Sequence, residues 1–269
     1  MFNLNMLMLA IIQGFTEFLP VSSSGHLILY AKYISSTDQG QAIDIALHIG
    51  SLIAVVLYFW TDIKEMITSL FKEKFKPNFE ITSVRLAYLI VIATIPAIVI
   101  GAILSFIGME WTRNTLLIGV LLVIYSILLW YADTHFKTTK TLEEMNLKDA
   151  VLIGFAQTLA FFPGTSRSGI TITMGRFLGY DRSEVAKFSM LLSIPSILCA
   201  GILAFITLSQ TGDSTKLLLG GCAIFYSFIF SFVAILFMMK WLRKKTFLPF
   251  VIYRIILGII LILDAMSII

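Results

Sequence analysis

The sequence predicts an all-α polytopic membrane protein with about six transmembrane helices and two re-entrant helical hairpins, arranged as an inverted-topology repeat. Three observations carry this prediction: the composition, two apolar runs broken by Pro, Gly and hydroxyl residues, and a resemblance between those two runs. Of the 269 residues, 58% are hydrophobic and 13% are charged, and the mean hydropathy is +0.92. Soluble domains carry about 25% charged residues, so the composition excludes that class.

Apolar stretches account for the predicted crossings, because a helix needs roughly 17 to 25 residues to cross about 30 Å of hydrocarbon. Six stretches qualify, at residues 43–60, 86–108, 115–132, 186–208, 217–239 and 248–265. Two further apolar regions, 4–34 and 149–179, are interrupted near their middles. Each half is too short to cross, and broken backbone is tolerated at membrane depth only where protein or water surrounds it. These two regions are therefore predicted to be re-entrant hairpins.

The basic residues predict the orientation. Fourteen Lys and Arg fall in the segments 61–85, 133–148, 180–187 and 240–247, whereas the opposite side holds only Lys32, Arg113 and Lys216. Basic residues accumulate in cytoplasmic loops, so the four segments are predicted to be cytoplasmic. The first hairpin then enters from outside and the second from the cytoplasm. Since topology explains the basic residues, no nucleic-acid partner is expected.

An internal repeat links the two hairpins. GFTE at 14–17 is echoed by GFAQ at 154–157, and PVSSSG at 20–25 by PGTSRSG at 163–169. We therefore predict one membrane domain over 1–269, with one repeat at about 1–132 and the other at about 149–269. In such folds the binding site lies between the repeats, where their broken helices meet.

The first hairpin carries a dense polar cluster. Gln13 and Glu17 are four residues apart and share one helical face. Beyond Pro20 follow five further candidates, namely Ser22, Ser23, Ser24, Gly25 and His26. The hydroxyls are also suited to capping broken backbone, and that alternative is favoured for Ser22 and Ser24. An ionisable residue inside a membrane, in contrast, is a functional candidate by default.

The second hairpin has the composition of an anion site. Pro163 and Gly164 break the chain, and Thr165, Ser166, Arg167 and Ser168 precede a helical run that begins near Gly169. Free N–H groups at a helix start attract a phosphate, and a guanidinium can bind two of its oxygens. For Thr165 and Ser168, capping or hydrogen bonding to the broken backbone is favoured over ligand binding. A structural ion pair between Glu17 and Arg167 is the alternative to a functional role for both.

Four other polar residues receive simpler interpretations. Asp44 and His48 lie one turn apart at the outer end of the first crossing. They either assist the entry of a metal or substrate or are simply hydrated residues at the membrane interface, and the second alternative is favoured. Arg176 and Arg254 lie near cytoplasmic ends and are predicted to extend to the lipid headgroups.

Together these side chains suit attack on a phosphoryl group, which depends mostly on positioning and charge stabilisation. Arg167 and the second helix start would hold a pyrophosphate, and Ser23 or a water would attack the terminal phosphorus. His26 would move the proton. Glu17, with Gln13 nearby, would either hold a hard divalent cation or orient His26.

The two long motifs, QGFTEFLPVSSSGH at 13–26 and PGTSRSGIT at 163–171, resemble the signature motifs of the undecaprenyl pyrophosphate phosphatases, the bacterial bacitracin-resistance family. The resemblance covers essentially the whole chain. It implies that Glu17 is the key carboxylate, Ser23 the nucleophile, His26 the acid or base and Arg167 the phosphate clamp. It also implies dependence on Mg²⁺ or Ca²⁺. The family's first motif is (Glu or Gln)-x-x-x-Glu, and its first position here is the uncharged Gln13, which leaves Glu17 as the main anionic ligand.

The implied substrate is a polyprenyl pyrophosphate lipid, cleaved on the outer side of the bacterial plasma membrane to the monophosphate and inorganic phosphate. A transporter or flippase of a lipid phosphate or anion is the competing prediction, because inverted repeats and broken helices are shared with transporters. Another family of membrane lipid phosphatases is discounted, since Thr173 stands where its second motif requires His. Oligomeric state is left open, with a homodimer among the alternatives.

Overall fold

The computed structural model describes residues 4–35, 40–107, 114–136, 139–209 and 214–267. Within these ranges the chain folds into α-helices and forms no β-strand. In chain order the helices are α1 Leu4–Phe18, α2 Ser23–Tyr30, α3 Gln41–Tyr58, α4 Trp60–Lys72, α5 Thr82–Ile107, α6 Thr115–His135, α7 Leu147–Thr158, α8 Arg167–Phe177, α9 Arg182–Ser209, α10 Ser214–Leu242 and α11 Leu248–Ala265. A π-helical turn, Ala31–Ser35, follows α2, and 3₁₀ turns cover Leu142–Glu144 and Leu159–Phe161. The predicted all-α class is confirmed.

The predicted crossings coincide with α3, α5, α6, α9, α10 and α11. Among the described residues, four stretches are long and apolar enough to cross a membrane, namely Thr82–Leu104, Thr115–His135, Leu219–Leu242 and Leu248–Ala265. A fifth combines α3 and α4, which meet at a bend of 76°. The protein is therefore polytopic, and its sidedness stays a prediction. Arg113 and Lys137, used for that prediction, lie outside the described residues.

The predicted hairpins are pairs of short helices. α1 and α2 contain 15 and 8 residues, and α7 and α8 contain 12 and 11, so none of the four reaches the usual length of a crossing. α1 packs against α3 and α10, whereas α7 packs against α5, and α8 packs against α6 and α9. The long helices thereby enclose both hairpin tips. Re-entrance from opposite faces, and the two repeats at 1–132 and 149–269, stay predictions.

Small polar residues let α3 and α10 approach closely. A Cβ atom at Gly50 would lie only 2.4 Å from the carbonyl oxygen of Ile224. Next to this contact, Ser51 Oγ lies 3.2 Å from Ser227 Oγ, and Ser231 Oγ donates to Ser51 Oγ at 2.9 Å. Such small residues and shared hydroxyls are typical of helix pairs in membranes, where hydrocarbon supplies no hydrophobic drive for association. The tight pair fixes α3, which carries one wall of the site described below.

Arg176 does not extend to headgroups as predicted, because its side chain is fully buried. Its Nε donates to Asp133 Oδ1 at 3.0 Å and its Nη1 to the carbonyl of Tyr180 at 2.6 Å. Arg182 donates to the same Asp133 oxygen at 2.7 Å. The prediction was wrong because Asp133 on α6 and the carbonyl of Tyr180 between α8 and α9 accept the hydrogen bonds of the guanidinium inside the protein. Arg176 therefore does not need to extend to water or headgroups.

We expect Asp133→Asn to destabilise the fold strongly. The amide keeps the shape of the carboxylate but removes the charge that compensates Arg176, and breaking a buried ion pair costs about 3–5 kcal/mol. The melting temperature of the detergent-solubilised protein should fall by roughly 10 °C. Asp62→Asn is the matched control, because Asp62 pairs with Lys187 where both side chains are partly exposed. Equal melting temperatures for the two variants would contradict this role of Asp133.

Candidate active site

The two hairpin tips share one unusual backbone conformation. Ser22 and Ser166 precede α2 and α8 with φ of 75° and 70°. Non-glycine residues rarely adopt such angles, which cost about 1–3 kcal/mol each and cluster at functional sites. Each serine side chain caps its helix by accepting from a glycine N–H, Gly25 for Ser22 and Gly169 for Ser166. The equivalent first helical residues are then Ser23 and Arg167, the two groups best suited to attack and anion binding.

The two tips contact each other directly. Ser22 Oγ accepts from the N–H of Gly164 at 3.1 Å, and Ser168 Oγ donates to the carbonyl of Leu19 at 3.0 Å. Gly164 has a φ of 93°, and a Cβ atom there would lie 2.7 Å from the carbonyl oxygen of Ile118. Glycine is therefore required at this position, both for its conformation and for the close approach of α6.

Arg254, on α11, hydrogen-bonds to both hairpin tips. Its side chain is fully buried, so the predicted extension to headgroups is wrong. Its Nη1 donates to the carbonyl of Pro20 at 3.1 Å, and its Nη2 donates to the carbonyls of Gly164 and Thr165 at 3.0 and 2.9 Å. One guanidinium thus satisfies carbonyls in both broken segments, where no helix supplies their partners. The sequence places Arg254 in α11 and gives no indication of this contact.

Glu17 is the centre of the charged cluster. Its Oε1 accepts from Arg167 Nη2 at 2.8 Å, and its Oε2 accepts from Ser23 Oγ at 2.7 Å and from Gln13 Nε2 at 3.0 Å. Arg167 also donates to the carbonyl of Ser189 on α9 at 3.1 Å. The structure therefore brings together the hydroxyl, carboxylate and guanidinium that the sequence nominated. The starts of α2 and α8 add the positive ends of two helix dipoles.

His48 belongs to this cluster rather than to a simple wetted interface. Its Nε2 lies 3.6 Å from Glu17 Oε2, while its Nδ1 lies 2.7 Å from the carbonyl of Asp44. A carbonyl only accepts, so Nδ1 carries a hydrogen and Nε2 faces the carboxylate. The sequence indicated His48 only as a polar residue one turn from Asp44. Its contact with α1 depends on how α3 packs, which sequence spacing does not reveal.

His26 lies beside the cluster and faces another helix. Its Nδ1 contacts the carbonyl of Ser22 at 2.7 Å and its Nε2 contacts the hydroxyl of Tyr253 at 2.5 Å. The two rings are stacked, with centroids 5.6 Å apart and planes at 13°. Both ring nitrogens are therefore engaged by groups other than Ser23 and Glu17. Glu17 lies next to the imidazole of His48 and not that of His26. In this structure Glu17 therefore does not orient His26.

The remaining candidates mostly hold the tips together. Ser22, Thr165, Ser166 and Ser168 are buried, and three of them cap a helix or join the two segments. Ser166 Oγ and Ser168 Oγ also lie 3.2 Å apart. Ser24 is exposed. The alternative favoured from the sequence is therefore confirmed for Ser22, which caps α2, and for Ser168, which bonds to the broken backbone at Leu19.

The predicted cation ligands, Gln13 and Glu17, are largely engaged by hydrogen bonds in this arrangement. Both oxygens of Glu17 already accept hydrogen bonds, and Arg167 neutralises its charge. Of the side-chain oxygens of Glu17 and Gln13, Gln13 Oε1 alone has no hydrogen-bond partner among the described residues. Among the residues that the structure describes, no group of three or more His, Cys, Asp and Glu is placed to hold a metal. Gln13 Oε1 and the remaining lone pair of Glu17 Oε1 could supply only part of the six or more oxygen ligands of Mg²⁺ or Ca²⁺, so waters or substrate oxygens would supply the rest.

A cavity of about 580 Å³ opens next to the cluster, between α3, α5, α7 and α9. His48 and Arg167 reach it from the cluster, and Asp44, Thr94, Gln157 and Ser196 add polar groups. The rest of the lining is mainly apolar. This volume falls within the range of small-molecule sites, which are mostly apolar with a few placed polar groups.

Fold and site together define a polytopic helical membrane protein whose polar centre is built from two interrupted helical hairpins. The chain belongs to the bacitracin resistance protein BacA family, whose family model matches residues 6–260. It is 44% identical to the undecaprenyl-diphosphatase of Jannaschia sp. (strain CCS1), covering 96% of this chain and 97% of that protein. The undecaprenyl-diphosphatases of Ruegeria pomeroyi and Alteromonas mediterranea are 42% and 44% identical, over 96% and 95% of this chain and 96% of each protein.

Proposed function

We propose that this protein hydrolyses undecaprenyl pyrophosphate to undecaprenyl phosphate and inorganic phosphate. The observation that carries the proposal is the contact of Glu17 with both Ser23 and Arg167, which are the first residues of α2 and α8. Relatives named undecaprenyl-diphosphatase, similar over nearly the whole chain, support the same substrate. Release of the monophosphate recycles the lipid carrier for cell-wall synthesis, in keeping with the bacitracin resistance in the family's name.

The geometry supports Ser23 as the nucleophile and Glu17 as the group that receives its proton. The hydroxyl already donates to Glu17 Oε2 at 2.7 Å, within the range of a general base. A bond forms between Ser23 Oγ and the terminal phosphorus while the bond to the bridging oxygen breaks. The bridging oxygen leaves with its electron pair as part of the lipid monophosphate. Water then cleaves the phosphoserine, releasing inorganic phosphate and restoring the hydroxyl.

Arg167 and the N–H groups at the starts of α2 and α8 stabilise the charge on the terminal phosphoryl oxygens. Arg167 is held by Glu17 and by the carbonyl of Ser189, so it is oriented before substrate arrives. His26, with Tyr253 on its Nε2, is the candidate proton donor to the bridging oxygen. That role requires His26 to turn from Tyr253 toward the substrate.

The Mg²⁺ or Ca²⁺ that the family resemblance implies would be held by Glu17 and Gln13 together with oxygens of the bound pyrophosphate, and it would stabilise the charge of the phosphoryl group. The protein works in the plasma membrane of a bacterium, with its site open to the outer side. A homodimer is compatible with this arrangement, although the chemistry described uses residues of one chain.

Phosphate release from undecaprenyl pyrophosphate by the purified, detergent-solubilised protein tests the proposal. We expect activity that EDTA removes, that added Mg²⁺ or Ca²⁺ restores, and that Glu17→Ala lowers by about 1000-fold because Ser23 loses its proton acceptor. Detergent removes any gradient, so a pure transporter would release no phosphate. Folded wild-type protein that is inactive with every ion would contradict hydrolysis and favour transport.

A further inference from the structure

The polar groups that line the cavity beside His48 and Arg167 are those of Asp44, Thr94, Gln157 and Ser196, and the buried amide of Gln157 has no use in the reaction as described. Gln157, on α7, lines the cavity and is only 3% exposed. Its Oε1 lies 3.3 Å from the hydroxyl of Ser196, which also lines the cavity. Its Nε2 has no hydrogen-bond partner among the described residues. Leaving a buried donor unsatisfied costs about 1–3 kcal/mol, so such a group in a cavity indicates a ligand that accepts hydrogen bonds.

The internal repeat gives Gln157 a counterpart. It ends GFAQ at 154–157, where Glu17 ends GFTE at 14–17. In the first hairpin the carboxylate accepts hydrogen bonds from Ser23, Gln13 and Arg167. In the second hairpin the same position carries an uncharged amide with two N–H donors. A carboxylate would repel an anion next to Arg167, whereas an amide can bind one.

We propose that Gln157 Nε2 donates a hydrogen bond to a phosphate oxygen of the pyrophosphate headgroup, in the cavity that it shares with Arg167. This inference rests on the proposed function, because it names a further binding residue for the same substrate. The two hairpins would then have different roles. Glu17 of the first hairpin activates Ser23, and Gln157 of the second hairpin binds the anionic headgroup.

A competing use of the cavity makes the opposite prediction. Its lining is mainly apolar, including Ile45, Ile98 and Phe161, so it could seat part of the prenyl chain. In that case an apolar residue at position 157 would leave binding unchanged or improve it. If Gln157 binds phosphate, the same change must weaken binding.

The test is the Kd of a methylene-bridged, non-hydrolysable prenyl pyrophosphate analogue, measured with the detergent-solubilised full chain. We expect Gln157→Leu to raise the Kd about tenfold, as the loss of one hydrogen bond to a charged group implies. Gln157→Glu should raise it further, because it places a negative charge against the headgroup. The KM for undecaprenyl pyrophosphate should rise in parallel, with kcat changed much less.

Thr158→Val is the matched control, since Thr158 is the next residue and its hydroxyl donates to the carbonyl of Phe155 at 2.7 Å outside the cavity. Its Kd should equal that of the wild type. Gln157→Leu should keep the wild-type melting temperature, because the change removes an unsatisfied amide. If the Gln157→Leu protein does not fold, Gln157→Met takes its place in the test.

An unchanged or lower Kd in folded Gln157→Leu or Gln157→Met protein would overturn the inference, whether or not the enzyme turns over. Failure of the proposed function looks different. The wild type would then bind the analogue without releasing phosphate from the substrate, and the Kd comparison would still decide the role of Gln157.

Discussion

Arg167→Ala is expected to lower kcat/KM for undecaprenyl pyrophosphate by about 1000-fold. Removing a charged group that stabilises a phosphoryl transition state has effects of this size. The loss has a second cause in this site, because Glu17 would keep its negative charge without the guanidinium 2.8 Å away. That uncompensated charge would repel the pyrophosphate. Phosphate release over a range of substrate concentrations measures the effect, and both kcat and KM should change.

Two further variants separate charge from geometry at this position. Arg167→Lys keeps the charge but cannot bond Glu17 and the carbonyl of Ser189 together, so it should recover only part of the activity. Arg243→Ala removes an exposed arginine outside the site and should behave as wild type. If Arg167→Ala retained kcat/KM within threefold of the wild type, Arg167 would not be the phosphate clamp.

Arg254→Leu should produce the largest loss of stability. The change leaves the carbonyls of Pro20, Gly164 and Thr165 buried without their donor. At about 1–3 kcal/mol for each of the three unsatisfied carbonyls, the free energy of unfolding should fall by roughly 3–9 kcal/mol. We expect a fall in melting temperature of about 10 °C or more in detergent. Phosphate release should also be lost, because the tips position Ser23 and Arg167.

The matched control for Arg254 is Ile256→Ala, on the same helix but exposed, which should change the melting temperature little. The melting temperature of Arg254→Lys should lie between those of Arg254→Leu and Ile256→Ala, because one ammonium is too compact to reach carbonyls on both segments as a guanidinium does. A melting temperature for Arg254→Leu equal to that of the control would show that other contacts hold the hairpin tips.

Several site residues could be recognised from sequence because their meaning is local. Pro20, Pro163 and Gly164 interrupt apolar runs, and the residues that follow them begin new helices. Glu17 and Arg167 were recognisable because charge is expensive inside a membrane and therefore rare without a purpose. Their pairing was open as an alternative, and the structure joins them directly at 2.8 Å.

The residues that sequence reasoning missed lie on long helices that look like ordinary crossings. His48 and Arg254 were assigned to interfaces because each lies near the end of an apolar stretch. Their roles depend on which way the helix is rotated and on what packs against it. Gln157 was recognised only as part of the repeat, since an amide carries no charge to mark it. Its open hydrogen-bonding capacity becomes visible only when the cavity walls are assembled.

By itself, the sequence determined that this protein is an all-α membrane protein with two broken hairpins and a polar centre. Composition, helix length and helix interruption are properties of contiguous segments, so they need no knowledge of the fold. The tertiary structure alone decided which side chains meet: Glu17 with Arg167, 150 positions away, and Arg254 with Pro20, 234 positions away. Such contacts follow from the packing and rotation of whole helices, which the apolar pattern of a chain surrounded by lipid barely constrains.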